Sequence, residues 1–339
     1  MRDRAANVCW DVSGPEDFER LKPTWNKLNE QNSKSPLLDA EYFEILLRYH
    51  GVPESMLLAV AYRDDTPVVA GLLTRRGFGS WQTYQPAQAP LGAWVCPKGE
   101  CIDTLLNGLF RVLPGLCLVM GVTQQDPLIF ERPKHTGRLR TLDYIETSCV
   151  LVDSSFIDYW KRRGKNLKKN VRRQRNKLVR DGIVTTQQSV GDPEAIGKAV
   201  DEYGLLESEG WKGKEGTSLH PDNLQGRLYR DLMEHYSKRG EAFVYQYRYG
   251  SELVASEICL HRNGFMYMLK TTHSEKPQGT SPGVLMTEDM FRDIFHHRRF
   301  HTIEFYGRTA DWHPKWTNEF RDMYHINVYR SRILAVLLS

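Results

Sequence analysis

The sequence predicts an α/β fold in which two similar units stand in tandem, each a mixed twisted sheet flanked by helices. Two observations lead there. An order of helix, apolar hairpin, third strand, Pro/Gly-rich loop, helix and strand occurs in the first half and again in the second. Identities also fall at one constant offset, 185 residues: Tyr62-Arg63 matches Tyr247-Arg248, and Val69-Ala70 matches Val254-Ala255. At 339 residues, 40% of them hydrophobic, the chain is long enough to bury two cores. The expected division is 1–145 and 146–339.

The elements follow in order. Helices are expected over 15–31 and 39–50, the second apolar at Tyr42, Phe43, Ile45, Leu46 and Leu47. Strands follow over 56–62, 68–74 and 80–84, with Asp64-Asp65 as a hairpin turn. The loop 86–92 leads to a helix over 102–112 and a strand over 116–120. In the second half a helix is expected over 222–239 and a strand over 243–248. A turn at Tyr249-Gly250-Ser251 separates it from strands over 253–261 and 265–269. A helix from Gly283 and a strand over 302–306 complete the order.

Charge is unevenly placed. Residues 161–180 carry eleven Lys/Arg and no acid, so removing them from the net charge of +4 leaves −7 elsewhere. A solvated helix with Leu167, Val171 and Leu178 inward would explain the pattern. The mutual repulsion points instead to an anionic partner: a cofactor phosphate, an acidic glycan, an anionic lipid or RNA. No aromatic residue for base stacking lies between Lys161 and Arg180. The six cysteines are scattered with neither C-x-x-C nor neighbouring histidines, which reads as thiols in a reducing compartment and no metal site. No apolar run reaches the ~20 residues needed to span a bilayer, and nothing near Met1 looks like a signal peptide, so a cytoplasmic location is expected. Adjacent His296 and His297 point about 100° apart on a helix and read as surface residues at its C-terminus.

The most informative stretch is 265–295. An aromatic and Met-rich strand enters a polar loop, and the loop opens directly onto an amphipathic helix. Such a junction offers unpaired backbone N–H groups and the positive end of a helix dipole to a diphosphate. The loop Gln278-Gly279-Thr280-Ser281-Pro282-Gly283 resembles the Q/R-x-x-G-x-G/A loop with which acyltransferases of the GNAT superfamily hold coenzyme A. An ordinary turn capped by Ser281 or Thr280 is the alternative. The first half has Gln88-Ala89-Pro90-Leu91-Gly92 at the corresponding place, so only the second unit is expected to bind the donor.

Three segments together resemble the CelD/BcsL-like branch of GNAT acetyltransferases, found in bacterial exopolysaccharide and cellulose clusters. They are the basic run from Arg163 to Arg173; Glu207-Ser208-Glu209-Gly210-Trp211-Lys212-Gly213; and Ser281-Pro282-Gly283 with Phe305-Tyr306-Gly307-Arg308 and Lys315-Trp316. Members of that branch carry a Tyr-Lys pair in the last segment. Here the stretch reads Asp311-Trp312-His313-Pro314-Lys315-Trp316, with Lys315 as the candidate for that lysine.

The resemblance implies two tandem GNAT-like units, with the first degenerate. It also implies transfer of an acyl group, acetyl above all, from acyl-CoA to an amine by direct attack, with no covalent enzyme intermediate and no permanently bound cofactor. Such chemistry needs placement, one base and an oxyanion donor. Glu207 or Glu209 is the candidate base, Tyr267 the candidate acid, and Trp211, Lys212, Lys270 and Lys315 candidate substrate contacts. Each has an ordinary reading too: solvated helix-end acids, a buried structural tyrosine, exposed lysines. The tandem architecture also resembles the Fem aminoacyltransferases, whose donor is charged tRNA. A degenerate acyltransferase serving as a scaffold in an envelope-polysaccharide system is the non-enzymatic alternative.

Overall fold

The computed structural model describes residues 8–100, 102–210 and 216–338. The chain divides into two compact units: residues up to Glu146 together with those from Arg321 onward, and Thr147–Phe320.

In the first unit the strands β1 (Val8–Ser13), β2 (Leu57–Arg63), β3 (Thr66–Gly77), β4 (Ser80–Thr83), β6 (Val119–Gln125) and β13 (Glu319–Tyr329) lie in that order across the sheet. A short β5 (Trp94–Val95) pairs with β3. Helices α1 (Phe18–Glu30), α2 (Ala40–His50) and α3 (Ile102–Val112) accompany them. The β2–β3 hairpin closes through Asp64 and Asp65 at φ 49° and 59°. Two successive left-handed residues give a turn whose twist matches that of the strands. Leu105, Leu106, Leu109 and Phe110 of α3 pack with Trp10, Trp81, Trp94, Met120 and Val122.

The second unit has the sheet order β7 (Leu139–Leu151), β12 (Thr302–Glu304), β11 (Phe265–His273), β10 (Glu252–Arg262), β9 (Ala242–Tyr249) and β8 (Thr185–Val190). Helices α4 (Phe156–Arg162), α5 (Lys165–Arg180), α6 (Ile196–Ser208), α7 (Leu224–Ser237) and α8 (Pro282–His297) complete it. Its core joins Leu167, Val171 and Leu178 of α5 to Leu285, Met290, Phe291 and Ile294 of α8, over Tyr245, Tyr247 and Met266 of the sheet.

The repeated order is real at the level of topology. In the first unit β2–β3–β4 is an antiparallel meander, then comes α3, then β6 parallel to β4. In the second, β9–β10–β11 is the meander, α8 follows, and β12 runs parallel to β11.

Several boundaries differ from expectation. The strand expected at 116–120 begins at Val119, because Gly115 turns the chain at φ 74° and Leu116 stays 51% exposed. The strand expected at 265–269 continues to His273, held by pairing with β10 up to Ala255↔His273. The strand expected at 302–306 stops at Glu304, with Tyr306 at φ 39°. The second unit was expected to run to residue 339. Residues from Arg321 instead belong with the first unit, because β13 forms an antiparallel ladder on β6, Ile326 opposite Val122 and Val328 opposite Met120.

Candidate active site

β11 and β12 pair through three rungs only, Phe265↔Thr302, Met266↔Ile303 and Tyr267↔Glu304. β12 then ends while β11 continues for six residues. Its partner register on β10 jumps from Met268 to Lys270, so Leu269 is an extra residue in the strand. A bulge of this kind bends the strand that carries it. The two parallel strands therefore part just beyond Tyr267 and Glu304, and a V-shaped opening begins there. Glu304 is 2% exposed, and the Tyr306 ring lies 5.7 Å from that of Tyr267.

In the first unit the corresponding opening is filled by the chain itself. β4 and β6 pair from Ser80↔Val119 to Gln82↔Gly121 and then separate. Gly92 donates to the carbonyl of Gln124 and Ala93 to that of Tyr84. A Cβ on Gly92 would lie 2.3 Å from the Thr123 carbonyl oxygen, so only glycine fits between the strands.

The glycine loop of the second unit is built against α5. Gln278 and Gly279 form an exposed turn, with Gly279 at φ 75° and its α-carbon facing the Lys177 side chain. The Thr280 hydroxyl is turned inward, toward Tyr249. Ser281 is the N-cap of α8, but its hydroxyl caps nothing. Its N–H donates instead to Oε1 of Gln174 at 2.5 Å, a side chain only 1% exposed. Pro282 has no N–H to give. The first-turn donors left without an intrahelical acceptor are thus those of Gly283 and Val284. The expected six-residue phosphate loop narrows accordingly: the Ser281 amide is already spent.

A second tie fixes α5 to the start of α8. The Arg175 guanidinium donates to Glu288 Oε2 at 2.7 Å and to the Tyr247 hydroxyl at 2.8 Å, and lies 2.6 Å from Asp289 Oδ1. Glu288 is 2% exposed. A buried carboxylate demands such a partner. Gln174, Arg175 and Glu288 were not singled out from sequence. The one signal was a glutamine occupying a core-facing position between Val171 and Leu178.

The remaining candidates separate. Glu207 is buried, its Oε1 accepting from the Tyr203 hydroxyl at 3.1 Å and its Oε2 from the Leu219 N–H at 2.8 Å. Burial first, then the negative charges of Glu207 and Glu257, push the Tyr203 phenol well up from its ordinary value. Glu209 is exposed and pairs with Lys276 at 2.7 Å, tying the end of α6 to the loop after β11. That carboxylate raises the Lys276 pKa. The Lys270 ammonium sits 5.4 Å from the centre of the Tyr229 ring, whose own phenol is pushed up by burial and then by Glu207. Glu207, Tyr229 and Lys270 therefore share one neighbourhood. Lys315 is exposed in the 3₁₀ turn His313–Lys315. Trp211 and Lys212 lie outside the described residues.

The basic run is less uncompensated than its composition suggests. Lys161 pairs with Asp158, Arg162 with Asp153, Arg175 with Glu288 and Asp289, and Lys177 and Arg180 with Asp181. Among the described residues, no helix is long and apolar enough to cross a membrane.

Residues 165–313 match the family of acetyltransferase (GNAT) domains. No curated protein matches the sequence. Among solved structures the chain resembles FemX over 97% of its length and 99% of that chain, with a TM-score of 0.56 at 10% identity. L-PGS from Bacillus licheniformis is similar over 96% of both chains, with a TM-score of 0.52 at 15% identity. A tandem GNAT protein from the clavulanic acid biosynthesis pathway is similar over 96% of this chain and 99% of its own, with a TM-score of 0.50 at 12% identity. At these identities the likeness is one of fold. The family match and the fold point the same way: residues 165–313 resemble acetyltransferase (GNAT) domains, and the chain as a whole is similar in fold to a tandem GNAT protein and to FemX.

Proposed function

We propose that the protein transfers an acyl group, acetyl above all, from acyl-CoA to an amine. The observation that carries this reading is the coincidence of two features of the second unit. The opening between β11 and β12 lies on the strand that leads into α8, and the first turn of α8 presents the Gly283 and Val284 N–H groups. A diphosphate on those donors would direct the rest of an extended donor along β11 toward the apex at Tyr267. The Gly92 plug in the first unit supports a single donor site.

At the apex the amine nitrogen attacks the thioester carbon, the C–S bond breaks, and the thiolate leaves. Glu304, the register partner of Tyr267, takes the ammonium proton, and Tyr267 supplies one to the sulfur. The committed oxygens of Glu207 favour an anchoring role for it, and Glu209 holds the loop through Lys276. Trp211 and Lys212 remain proposed acceptor contacts, as does Lys315. Exopolysaccharide biosynthesis is the setting that the CelD/BcsL resemblance suggests for the acceptor.

Calorimetric titration with acetyl-CoA, with Gly283→Asp as the comparison, tests the donor. A carboxylate at that position blocks and repels the diphosphate, and its Cβ enters beside His273 Nδ1 at 3.2 Å, tight without a clash. Binding lost in a folded variant supports the reading. Equal affinity in both proteins refutes the loop, and no binding to a folded wild type refutes acyl-CoA as donor.

A second reading, a Fem-like aminoacyl-tRNA donor, is favoured by one observation, the cationic face of α5. RNA binding would show as affinity falling steeply with salt.

A further inference from the structure

α5 carries two opposite faces. Leu167, Val171, Gln174 and Leu178 are buried. Lys165, Lys168, Lys169, Arg172, Arg173 and Asn176 recur at intervals of three and four, which places them on one side of a helix with about 100° per residue. None of these five cations has a carboxylate partner among the described residues. Arg173 donates only to Asn170 Oδ1 and Lys168 only to the Lys161 carbonyl. Like charges three and four apart repel. A stripe of this kind therefore lowers the stability of the free helix and is relieved by an anion.

The stripe does not end in open solvent. Lys169, Arg172, Arg173, Asn176, Lys177 and Arg180 line a groove of about 540 Å³ whose remaining wall is Gly279, in the turn of the glycine loop. Lys177 and Arg180 are partly neutralised by Asp181, so the net attraction comes from Lys169, Arg172 and Arg173. Gln174 and Arg175 hold the opposite face of the same helix to the start of α8. The groove is thus fixed relative to the first-turn donors of α8.

We propose that Lys169, Arg172 and Arg173 form a phosphomonoester subsite adjoining the glycine loop, which selects donors bearing a terminal phosphate in addition to their diphosphate. It rests on the acyl-CoA reading and deepens it. A terminal phosphate carries close to two negative charges at neutral pH, whereas each phosphodiester of a nucleic acid carries one. Three cations gathered within two helical turns suit the dianion. The absence of aromatic side chains along the stripe leaves nothing on which successive bases would stack.

The test compares acetyl-CoA with 3′-dephospho-acetyl-CoA by calorimetry, on the full chain and on an Arg172→Ala, Arg173→Ala double variant whose folding is checked by urea denaturation. The subsite predicts that the wild type prefers acetyl-CoA by about tenfold or more, the effect of about 1.4 kcal/mol. It also predicts that the double variant loses this preference while its affinity for the dephospho donor stays within twofold. Equal wild-type affinity for the two donors overturns the subsite and leaves the donor reading standing. Equal weakening of both donors in the variant overturns it also, since a diffuse field would act on either. Binding of neither donor by the folded wild type overturns the acyl-CoA reading and the subsite with it. Displacement of acetyl-CoA by bulk tRNA, abolished in the double variant, would assign the stripe to RNA and overturn the monoester.

Discussion

Replacing Gln174 with Leu isolates the contact that sets the glycine loop. The leucine matches the apolar company of Val171 and Leu178 on the buried face of α5, so packing is retained and the change is the lost acceptor. The Ser281 N–H then has no partner within the protein. A buried donor left unpaired costs about 1–3 kcal/mol. Ser281 is half-buried, so water can reach part of the site, and we expect the low end, about 1 kcal/mol. The loop has two ways to respond. If it stays in place, the cost appears as a lower urea midpoint. If it swings out to hydrate the N–H, the Gly283 and Val284 donors lose their alignment, and donor affinity falls by about fivefold, the equivalent of 1 kcal/mol. Urea denaturation and calorimetric titration with acetyl-CoA on the same preparation read both. A variant with unchanged midpoint and unchanged donor affinity would refute the claim that Gln174 holds the loop.

Three further outcomes follow from particular contacts. Arg321→Met should destabilise the first unit by about 3 kcal/mol, because Asp126, 0% exposed, loses a bidentate partner at 2.9 and 2.7 Å; a urea midpoint equal to wild type would contradict it. Glu207→Gln should lower stability by about 1–3 kcal/mol, since the Tyr203 hydroxyl and the Leu219 N–H each donate to a different carboxylate oxygen and the amide puts an NH2 donor in place of one of them, while Glu209→Gln should leave stability unchanged. A Glu207→Gln protein as stable as wild type but slow in turnover would return Glu207 to the role of base. Stability should also fall as pH drops below about 6.5. His313 and His325 have folded pKa values lowered by burial, and each accepts a main-chain N–H at Nδ1, from Ala310 and Gln124. The unfolded chain therefore binds protons first, and stability is lost from about pH 6.5 down toward the folded values. Replacing both with Asn, whose Oδ1 can still accept, should flatten urea midpoints measured from pH 8 to 5, and an unaltered slope would count against it.

What the sequence made legible was the local chemistry of turns and helix faces. Asp64-Asp65 declared its hairpin because two short polar side chains tolerate left-handed backbone, and the loop before α8 declared itself through Ser281-Pro282-Gly283. Five strands escaped the reading: β1, β5, β7, β8 and β13. β8 reads Thr-Thr-Gln-Gln-Ser-Val and has no apolar alternation, because it is an edge strand paired only with β9. β13 was missed as a partner for the first unit because its ladder on β6 joins residues about two hundred positions apart, a distance over which spacing carries no signal. The site divided in the same way. The glycine loop was visible as a local pattern, whereas Gln174 and Glu304 matter through partners on other elements, and only the fold brings those partners to them.

The return of β13 to the first unit bears on how the chain is made. Tyr324, Ile326 and Val328 belong to the hydrophobic core of the first unit, yet they leave the ribosome only after all of Thr147–Phe320. Domains generally mature from the N-terminus as synthesis proceeds. Here the order is inverted: the second unit has its complete sequence while the first still waits for its last strand, with the edge of β6 unpaired. Such an edge is a template for wrong pairing. The period between synthesis of residue 147 and of residue 329 is therefore the window in which a nascent chain of this protein is most exposed to aggregation, and a chaperone would be needed at the first unit, not at the second.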